Sequence, residues 1–566
     1  MADFLAIKNE NPFRIRAYEK AADVIEHFSG NLEELLHQGR LNQIPGIGKG
    51  MLEKIEKIIS AGALPEYEQL KSSFPPGLME ILLVPDVGPK TAKVLYEKLG
   101  IKSVGELEDA AKKGKLRDLP GLGAKKEENI LRGIKLYKSR SSRILLGKAL
   151  PIVERVIAEL EQEASSFLIK KISPAGSLRR GKETIGDIDI LTTSPDPLSL
   201  MQIFTHLSFV DEVLAKGETK SSVLTGEGLQ IDLRVVADEC FGAAIQYFTG
   251  SKAHNIKLRE RAIKRGLKIN EYGVFSRDEK KVAGEEEAGI YKMLDLPFIP
   301  PELREDRGEI EAAEKNLLPE LLTEKDIKGD LHIHTQASDG RDEIDKIVEK
   351  AKQMGYQYIA ITDHSASLKV AGGLGVEAIL SQVEKIRKLN LNLSNIKVLT
   401  GVEVNIKLDG SLDLPDALLS RLDIVVAAIH TGFKQDEKSM TERVVKAMRH
   451  PLVHILAHPS GRLLGEREAY AINLDKVLDV AKEQGVWLEI NSQPERLDLT
   501  DYWVKEAKKR GVKIVLNTDA HSKDSLDFIK LGVITARRAW LEKKDVINTL
   551  PLDELLKNRR VRSDSQ

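Results

Sequence analysis

Histidine and acidic side chains follow a series of short apolar runs in the C-terminal part of the sequence. Eight of the twelve histidines lie after residue 330. One buried histidine is more often a packed core residue than a ligand, but His-x-His and Asp-x-His pairs on single strand faces are hard to explain by packing. A mixed set of imidazole and carboxylate ligands binds Zn²⁺, Mn²⁺ or Fe²⁺. The sequence therefore predicts a metal centre with the candidate ligands His332, His334, Asp339, His364, Glu403, His430, His458, Asp519 and His521.

Three aspartates earlier in the chain have the spacing of a second metal site. Asp187 and Asp189 lie two residues apart in GDIDIL (186–191), so both project from one face of a strand, and Asp232 lies in QIDLRVV (230–236). Oxygen ligands of this kind hold Mg²⁺ or Mn²⁺, and two such ions roughly 3.5–4 Å apart can clamp the attacking and leaving oxygens of a phosphoryl transfer. We therefore predict that these three aspartates catalyse a nucleotidyl transfer.

A glycine-rich, basic segment, GSLRRG (176–181), comes directly before the first two aspartates. An isolated Asp-x-Asp pair usually decorates a surface turn, so this neighbour makes the pattern much more specific. Gly176 and Ser177 can offer backbone and hydroxyl donors to a triphosphate, and Arg180 can supply the compensating charge. We predict that these residues, together with Gly186, bind a nucleotide.

Three similar phrases, PGIGKG (45–50), PDVGPK (85–90) and PGLGAK (120–125), each precede an amphipathic helical pattern. One copy would be an ordinary turn between helices. Three copies beside the basic stretch 112–148 favour binding of the DNA backbone without sequence recognition, because glycines at helix N-termini let phosphate approach the free N–H groups. The glycines concerned are Gly46, Gly48, Gly88, Gly121 and Gly123.

Length, charge balance and cysteine count restrict the class of protein that can hold these sites. A chain of 566 residues is too long for one core. Its 86 Lys and Arg residues balance 87 Asp and Glu residues, so nucleic-acid binding cannot be argued from total charge. The single cysteine, Cys240, excludes a disulfide framework, and no apolar run approaches the ~18 residues that span a bilayer. We expect a cytoplasmic, monomeric protein that does not bind membranes.

The pattern of elements changes twice along the chain. Short helical patterns fill the first 140 or so residues, and strands and helices mix from about residue 150, with strands predicted at 168–172, 188–192 and 231–236. After residue 328 strands alternate with helices, and the predicted strands are 358–362, 397–399, 424–429, 453–456, 486–490 and 513–516. The last alternation favours parallel β/α units, in which ligands gather at the strand ends.

The segments GSLRRG (176–181) and GDIDIL (186–191) resemble the palm domain of the family X DNA polymerases, relatives of the eukaryotic repair polymerase beta, and the resemblance continues in YFTGSKAHN (247–255). The resemblance implies that Tyr247, Phe248 and Gly250 line the deoxyribose pocket, that Asn255 contacts the base edge and that Arg259 contacts the template. It also makes Lys54 a candidate Schiff-base lysine of a lyase domain. One position departs from the family pattern: Gln230 replaces an arginine of the eukaryotic relative, so activation of the primer hydroxyl rests on Asp232 and the metals, or on another side chain.

The C-terminal histidine set resembles the PHP (polymerase and histidinol phosphatase) domain, a trinuclear phosphoesterase barrel. The resemblance implies three divalent ions and hydrolysis of a phosphodiester. One ion would be held by His332, His334, Glu403 and Asp519; a second by Glu403, His430 and His458; and a third by Asp339, His364 and His521. His450 and His454 match no ligand position and are expected to be structural.

Together these resemblances predict helical helix-hairpin-helix domains, an α+β nucleotidyltransferase palm and thumb, and a distorted β/α barrel. The expected domains are a lyase-like domain (1–80), fingers (81–148), palm (149–240), thumb (241–318), a linker (319–328) and a PHP domain (329–566). The expected function is gap-filling DNA synthesis from dNTPs in DNA repair, with 3′–5′ exonuclease activity in the barrel. A repair role would also suit cleavage at abasic sites. Two alternatives stay open: a nuclease whose polymerase half positions DNA, and a non-catalytic DNA scaffold.

Overall fold

The computed structural model describes residues 1–8, 10–26, 49–61, 64–75, 77–84, 86–141, 143–164 and 167–559. The phrase with Gly46 and Gly48 therefore lies outside the described residues. The chain divides into two compact units: unit 1 comprises Met1–Ile144, Val156–Ala175 and Gly186–Leu294, and unit 2 comprises Leu145–Arg155, Gly176–Ile185 and Asp295–Gln566.

The regular elements follow the three regions that the sequence pattern separates. In the described residues the strands β1 to β17 are, in chain order, Ile144–Leu145, Lys171–Pro174, Thr184–Ile185, Asp187–Thr193, Val210–Lys216, Lys220–Thr225, Gln230–Val235, Lys268–Asn270, Gly273–Phe275, Lys281–Ala283, Gly329–Ile333, Tyr358–Ile361, Lys397–Asn405, Ile424–Ala428, Ile455–Leu456, Trp487–Asn491 and Ile514–Asn517. The α-helices are Ala2–Ile7, Pro12–Glu26, Lys49–Ala61, Pro65–Ser72, Leu78–Leu82, Pro89–Leu99, Val104–Lys112, Ala124–Ser141, Leu146–Glu163, Gly176–Arg179, Pro197–Phe204, Phe241–Thr249, Lys252–Lys264, Glu287–Lys292, Glu309–Glu314, Ile344–Gln353, Val376–Asn390, Asp416–Leu419, Glu437–Met448, Leu474–Gln484, Asp501–Arg510, Ile529–Arg538 and Leu552–Asn558.

Helices alone build the N-terminal part of unit 1. Leu78, Leu95, Leu107 and Ile130 lie on four successive helices, are fully buried and share one core. The buried Glu127 carboxylate closes the turn before the last of these helices, because it accepts hydrogen bonds from the backbone N–H groups of residues 116 and 117 at 2.9 and 3.1 Å. These helices are packed as the apolar pattern predicts.

A five-stranded sheet with the order β2-β4-β7-β6-β5 lies in the C-terminal part of unit 1. Strands β4 and β7 are parallel, and the other neighbours are antiparallel. A separate antiparallel sheet, β10-β9-β8, follows the helices Phe241–Thr249 and Lys252–Lys264. This mixed region confirms the α+β expectation.

Unit 2 contains seven parallel strands in the sequential order β11 to β17. A parallel bridge between Ile333 and Ala520 and a 2.9 Å hydrogen bond from His334 N to Ala520 O join the two ends, so the sheet is a nearly closed barrel. Its strands are buried along almost their whole length, which explains their nearly continuous apolar sequences. Side chains of Asp436, Asn473 and Thr500 cap the helices that return the chain to the next strand. The predicted β/α barrel is confirmed.

Two strands of the five-stranded sheet were not predicted. β5 (VDEVLAK) carries charged side chains and is largely exposed, and β6 (KSSVLT) is buried but contains only two apolar residues, so neither forms an apolar run. The predicted strand 453–456 is shorter in the structure, Ile455–Leu456. No helix among the described residues combines the length and the apolar character needed to cross a membrane.

Candidate active sites

The three palm aspartates lie on the adjacent parallel strands β4 and β7. The register places Asp189 opposite Asp232, while Asp187 lies two residues before Asp189 on the same strand. Burial, followed by the negative charges of Asp187 and Asp232, raises the pKa of Asp189 to about 6. The fold therefore brings together three carboxylates that repel one another, and a cation would relieve this repulsion.

Two side chains that the sequence reasoning did not assign hold Asp232 in place. Lys220 on β6 places its Nζ atom 2.6 Å from Asp232 Oδ2, and Gln230 Nε2 donates a hydrogen bond of 2.8 Å to Asp232 Oδ1. Burial alone would raise the pKa of Asp232, but these partners lower it. Lys220 is thus a cation beside the third aspartate. Lys220 begins KSSVLT (220–225), which has no apolar alternation and no recognised motif, so no signal in the sequence could have identified it.

The predicted triphosphate-binding segment belongs to unit 2, except for Gly186, which belongs to unit 1. Gly176 has a positive φ of 61°, and the Ser177 carbonyl accepts a hydrogen bond from Lys182 N at 3.0 Å. Arg180 Nε donates to Glu305 Oε1 at 3.0 Å. The sequence did not predict this carboxylate partner, and the nucleotide-binding role of these residues stays a prediction.

The predicted sugar and base contacts lie on two consecutive helices of unit 1. The Tyr247 and Phe248 rings are 5.1 Å apart at 80°, and Gly250 ends the first helix with a positive φ of 70°. Asn255 Nδ2 donates to the Tyr247 carbonyl at 2.8 Å, which ties the second helix to the first, and Arg259 Nε donates to the Asn255 carbonyl at 3.3 Å. These side chains are therefore held as one group.

The hairpin glycines that the structure describes have open space beside their backbones. A Cβ atom built on Gly88, Gly121 or Gly123 would meet no heavy atom of the described residues within 4 Å. Gly88 is the N-cap of the helix Pro89–Leu99, and the Gly123 carbonyl accepts from residues 126 and 127 in the next helix. A phosphate group can approach both helix N-termini closely.

Lys54 is half-buried in a cavity of about 530 Å³ in the N-terminal region. Its ammonium group forms a short ion pair with Glu66 and lies 5.6 Å from the centre of the Tyr18 ring. The hydrogen bonds to Glu66 and Tyr18 raise the pKa of Lys54. The protonated form of the amine is therefore favoured, which opposes its use as a nucleophile.

The nine predicted ligands of the barrel converge at the carboxyl ends of its strands. Glu403 is at the centre and faces five imidazoles. The distances from its oxygens to the nearest ring nitrogens are 2.7 Å to His364, 3.1 Å to His458, 3.2 Å to His430, 3.5 Å to His332 and 3.6 Å to His334.

Two aspartates complete the cluster on either side of His334. Asp519 Oδ1 lies 3.1 Å from His334 Nε2, and Asp339 lies 3.4 Å from both His364 Nε2 and His521 Nε2. Ligand atoms within 4.8 Å of one another form three groups in the described residues: His334, Asp339, His364 and His521; His332, His334 and Asp519; and His364, Glu403 and His430. How the ligands are shared among ions stays a prediction.

The barrel cluster fits bound cations. His332 Nε2, His334 Nε2 and Glu403 Oε2 are buried and have no hydrogen-bond partner among the described residues. Buried polar atoms without partners are costly, and a coordinated ion would satisfy all three. His458 and Asp519 also have positive φ angles of 30° and 51°, a strained backbone that is typical of functional sites.

Charge within the cluster keeps its carboxylates ionised. Burial alone would raise the pKa of Glu403, but the imidazoles around it hold that pKa well below its ordinary value. Burial would lower the pKa of His364, yet Glu403 and Asp339 raise it to about 10. The ionised carboxylate is the form that binds a cation.

Glu489 was missed by the sequence reasoning, although it is the one charged residue in the apolar run VWLEI (486–490). Its Oε1 accepts hydrogen bonds from His332 Nδ1 at 2.7 Å and Asn517 Nδ2 at 3.0 Å. Its Oε2 accepts from His458 N at 2.8 Å and Asn491 Nδ2 at 3.2 Å. Glu489 therefore turns His332 Nε2 towards the cluster.

His450 and His454 lie outside the three ligand groups, as expected. His454 Nδ1 accepts a hydrogen bond from Val425 N at 3.0 Å, and His450 Nε2 lies 3.1 Å from Asp416 Oδ1. Both therefore make structural contacts.

Four family models match separate parts of the chain. A helix-hairpin-helix domain matches residues 1–64, and a SAM-like helix-hairpin-helix tandem matches residues 78–135. The DNA polymerase beta thumb matches residues 244–305, and the PHP domain matches residues 330–493.

One relative matches nearly the whole chain, and others match less than two fifths of it. The DNA polymerase/3'-5' exonuclease PolX of Bacillus subtilis (strain 168) is 38% identical over 559 residues, which cover 98% of this chain and 96% of the relative. A probable phosphatase of Thermoanaerobacter sp. (strain X514) is 31% identical over 231 residues, 39% of this chain and 89% of the relative. A probable phosphatase of Acetivibrio thermocellus is 30% identical over 201 residues, 34% of this chain and 78% of the relative.

Proposed function

Because this chain belongs to the family X DNA polymerases that carry a C-terminal PHP domain, we propose that it is a DNA-directed, gap-filling DNA polymerase with an intrinsic 3′–5′ exonuclease. The observation that carries this proposal is that one chain holds two separate sites for phosphate chemistry. Asp189 and Asp232 face each other across β4 and β7, and Glu403 is surrounded by imidazoles in the barrel.

In the palm, Asp187, Asp189 and Asp232 would hold divalent ions, which would supply positive charge to the phosphate oxygens of the incoming nucleotide. Gln230 is uncharged, so Lys220 takes the place of the family's arginine as the cation beside Asp232. Tyr247, Phe248 and Gly250 form the deoxyribose pocket, and Asn255 and Arg259 contact the base and the template. We assign Mg²⁺ or Mn²⁺ to this site, because its ligands are oxygen atoms.

In the barrel, the nine ligands hold three divalent ions among Zn²⁺, Mn²⁺ and Fe²⁺, since both imidazole and carboxylate ligands are present. Divalent ions bound at the two sites supply positive charge to phosphate oxygens and, in the barrel, lower the pKa of water. Glu489 fixes the orientation of His332, and Glu403 joins the ligands on both sides of the cluster.

The helix-hairpin-helix glycines Gly88, Gly121 and Gly123 bind the DNA backbone, with Gly46 and Gly48 assigned the same role from the sequence. These contacts do not select a sequence, which suits a repair enzyme that must act wherever a gap occurs. We propose that the enzyme works as a cytoplasmic monomer on gapped or primed DNA with dNTPs.

The proposal is tested by separating the two activities on a gapped DNA with a labelled primer. Asp187→Asn/Asp189→Asn is expected to abolish primer extension and retain primer degradation, because both aspartates are palm ligands. His332→Ala/His334→Ala is expected to do the reverse. Asp278→Asn, an exposed carboxylate of unit 1, serves as the matched control, and thermal melting checks that every variant folds.

The outcomes discriminate among the three functions considered. Normal extension by the Asp187→Asn/Asp189→Asn variant would refute the palm assignment, and normal degradation by the His332→Ala/His334→Ala variant would refute the barrel assignment. A wild-type chain that degrades but never extends would be a nuclease with a DNA-positioning half. A chain that does neither would be a scaffold.

Cleavage at abasic sites has two candidate centres in this chain, Lys54 and the barrel. The ion pair with Glu66 keeps Lys54 protonated, so we assign abasic-site cleavage to the barrel. Wild-type enzyme is incubated with abasic DNA in the presence of borohydride or of EDTA. Cleavage that EDTA stops supports the barrel, whereas a borohydride-trapped adduct that Lys54→Ala loses would assign the activity to Lys54.

A further inference from the structure

Two neighbouring cavities at the carboxyl ends of the barrel strands share the side chain of Arg496. One cavity, of about 280 Å³, contains the metal ligands Glu403, His430 and His458. The other, of about 360 Å³, is lined by Arg341 and Gln493 and shares Asp519 and His521 with the first. A second binding space therefore adjoins the proposed metal centre.

Arg496 has most of its hydrogen-bonding capacity unused. Its Nε atom lies 3.7 Å from Asp519 Oδ2, and its side chain is 21% exposed. Within the residues that the structure describes, the guanidinium donates no hydrogen bond. A guanidinium has five N–H donors in a planar fork that matches phosphate oxygens.

Arg341 presents a second guanidinium to the same cavity. Its side chain is exposed and forms no ion pair with any described residue. Its backbone N–H donates to the His521 carbonyl at 2.8 Å, so the loop that carries it is attached to the ligand segment. Gln493 Nε2 donates to the Asp519 carbonyl at 2.7 Å and fixes the opposite wall in the same way.

The remaining lining favours a polar, anionic ligand. Ser522 and Ser525 add hydroxyl donors, and Glu495 is the one acidic side chain that lines this cavity without lining the metal cavity as well. The Glu495 and Asp519 carboxylates balance the charges of the two arginines, so recognition of a phosphate rests on the unused N–H donors of the guanidiniums and on the serine hydroxyls.

We propose that this second cavity binds the phosphodiester next to the scissile one, and so makes the barrel select a DNA strand over a small phosphate ester. Arg496 lies between the two phosphates, and Arg341 holds the more distant one. This inference rests on the proposed exonuclease function and specifies its substrate class. The same cavity would also suit an RNA strand, and the comparison of DNA with RNA substrates distinguishes the two.

The experiment measures KM and kcat of full-length Arg341→Gln on two substrates: a labelled single-stranded oligodeoxynucleotide and p-nitrophenyl thymidine 5′-monophosphate, which has a single phosphodiester. For the oligonucleotide, KM is expected to rise roughly tenfold with little change in kcat, because the variant loses one charge-assisted hydrogen bond to phosphate. For the small ester, both constants are expected to stay at the wild-type values. Arg387→Gln, an exposed arginine of the same unit, is the matched control.

Three further measurements separate binding from structural damage. Bound metal, measured by elemental analysis, is expected to be unchanged in Arg341→Gln, because the Arg341 side chain forms no hydrogen bond or ion pair with a ligand among the described residues. Arg341→Lys is expected to recover part of the affinity, since it restores the charge without the planar fork. The dependence of oligonucleotide KM on salt is expected to be weaker in Arg341→Gln, by about 0.7 in the logarithmic slope.

An unchanged oligonucleotide KM in Arg341→Gln, with wild-type exonuclease intact, would overturn this inference and leave the proposed function standing. Equal losses on both substrates would also overturn it, because they would show a general effect on the metal centre. A wild-type chain that degrades no DNA would instead overturn the proposed function. An equal KM for RNA and DNA would extend the substrate class to both nucleic acids.

Discussion

Replacing Glu489 by glutamine is expected to weaken metal binding in the barrel without unfolding it. Glu489 Oε1 accepts from His332 Nδ1 at 2.7 Å, and Oε2 accepts from His458 N at 2.8 Å. A glutamine keeps the shape of the side chain but turns one of these acceptors into an N–H₂ group that faces two donors. His332 then loses either its orientation or its negative partner.

The magnitude follows from this loss of orientation. Removing the partner of a metal-binding histidine costs about 10- to 100-fold in metal affinity, or roughly 1.4–2.7 kcal/mol. The metal-free protein is titrated with Mn²⁺ or Zn²⁺ in a calorimeter, and Glu483→Gln, an exposed glutamate on the preceding helix, is the matched control. Wild-type affinity in Glu489→Gln would show that the position of His332 is set by its own strand, and would refute the orienting role.

Three more perturbations test the forces that hold unit 2 together. Arg538 is almost fully buried between Glu305 at 3.1 Å and Asp501 at 2.8 Å. Arg538→Met is therefore expected to lower the free energy of unfolding by about 3 kcal/mol in urea titrations, because it leaves two buried carboxylates without their partner. A loss below about 1 kcal/mol would mean that water solvates this network. Burial lowers the pKa of Lys505 from its ordinary value of 10.5 to about 8. Between pH 8 and pH 10.5 the unfolded chain therefore keeps a proton that the folded chain has released. Stability should therefore rise with pH across that window in wild type, measured by melting temperature, and rise less in Lys505→Met. Addition of Mn²⁺ to metal-free protein is expected to raise the melting temperature in proportion to the logarithm of its concentration, and a Glu403→Gln variant, which lacks the central carboxylate charge, should respond less.

The sequence predicted which acidic and histidine residues the fold brings together at both sites, because their spacing along single strands and after apolar runs is a local signal. Asp187 and Asp189 alternate along one strand, and the barrel ligands follow apolar runs whose parallel pairing brings their carboxyl ends together. The apolar runs predicted six of the barrel strands, five of them to within two residues at each end, since strands buried on both faces are almost purely apolar. The sixth, Lys397–Asn405, extends six residues beyond its predicted end. The exposed strand β5 lacked that signal.

Only the tertiary structure decided which side chains support the sites. Lys220 meets Asp232 from a neighbouring antiparallel strand, and Glu489 meets His332 across 157 residues of sequence. Arg180 was expected to bind phosphate by its position in a motif, yet its partner in the fold is Glu305, 125 residues away. The physical reason is the same in each case: a residue type and its spacing define what a side chain can do, whereas the packing of distant segments defines what it meets.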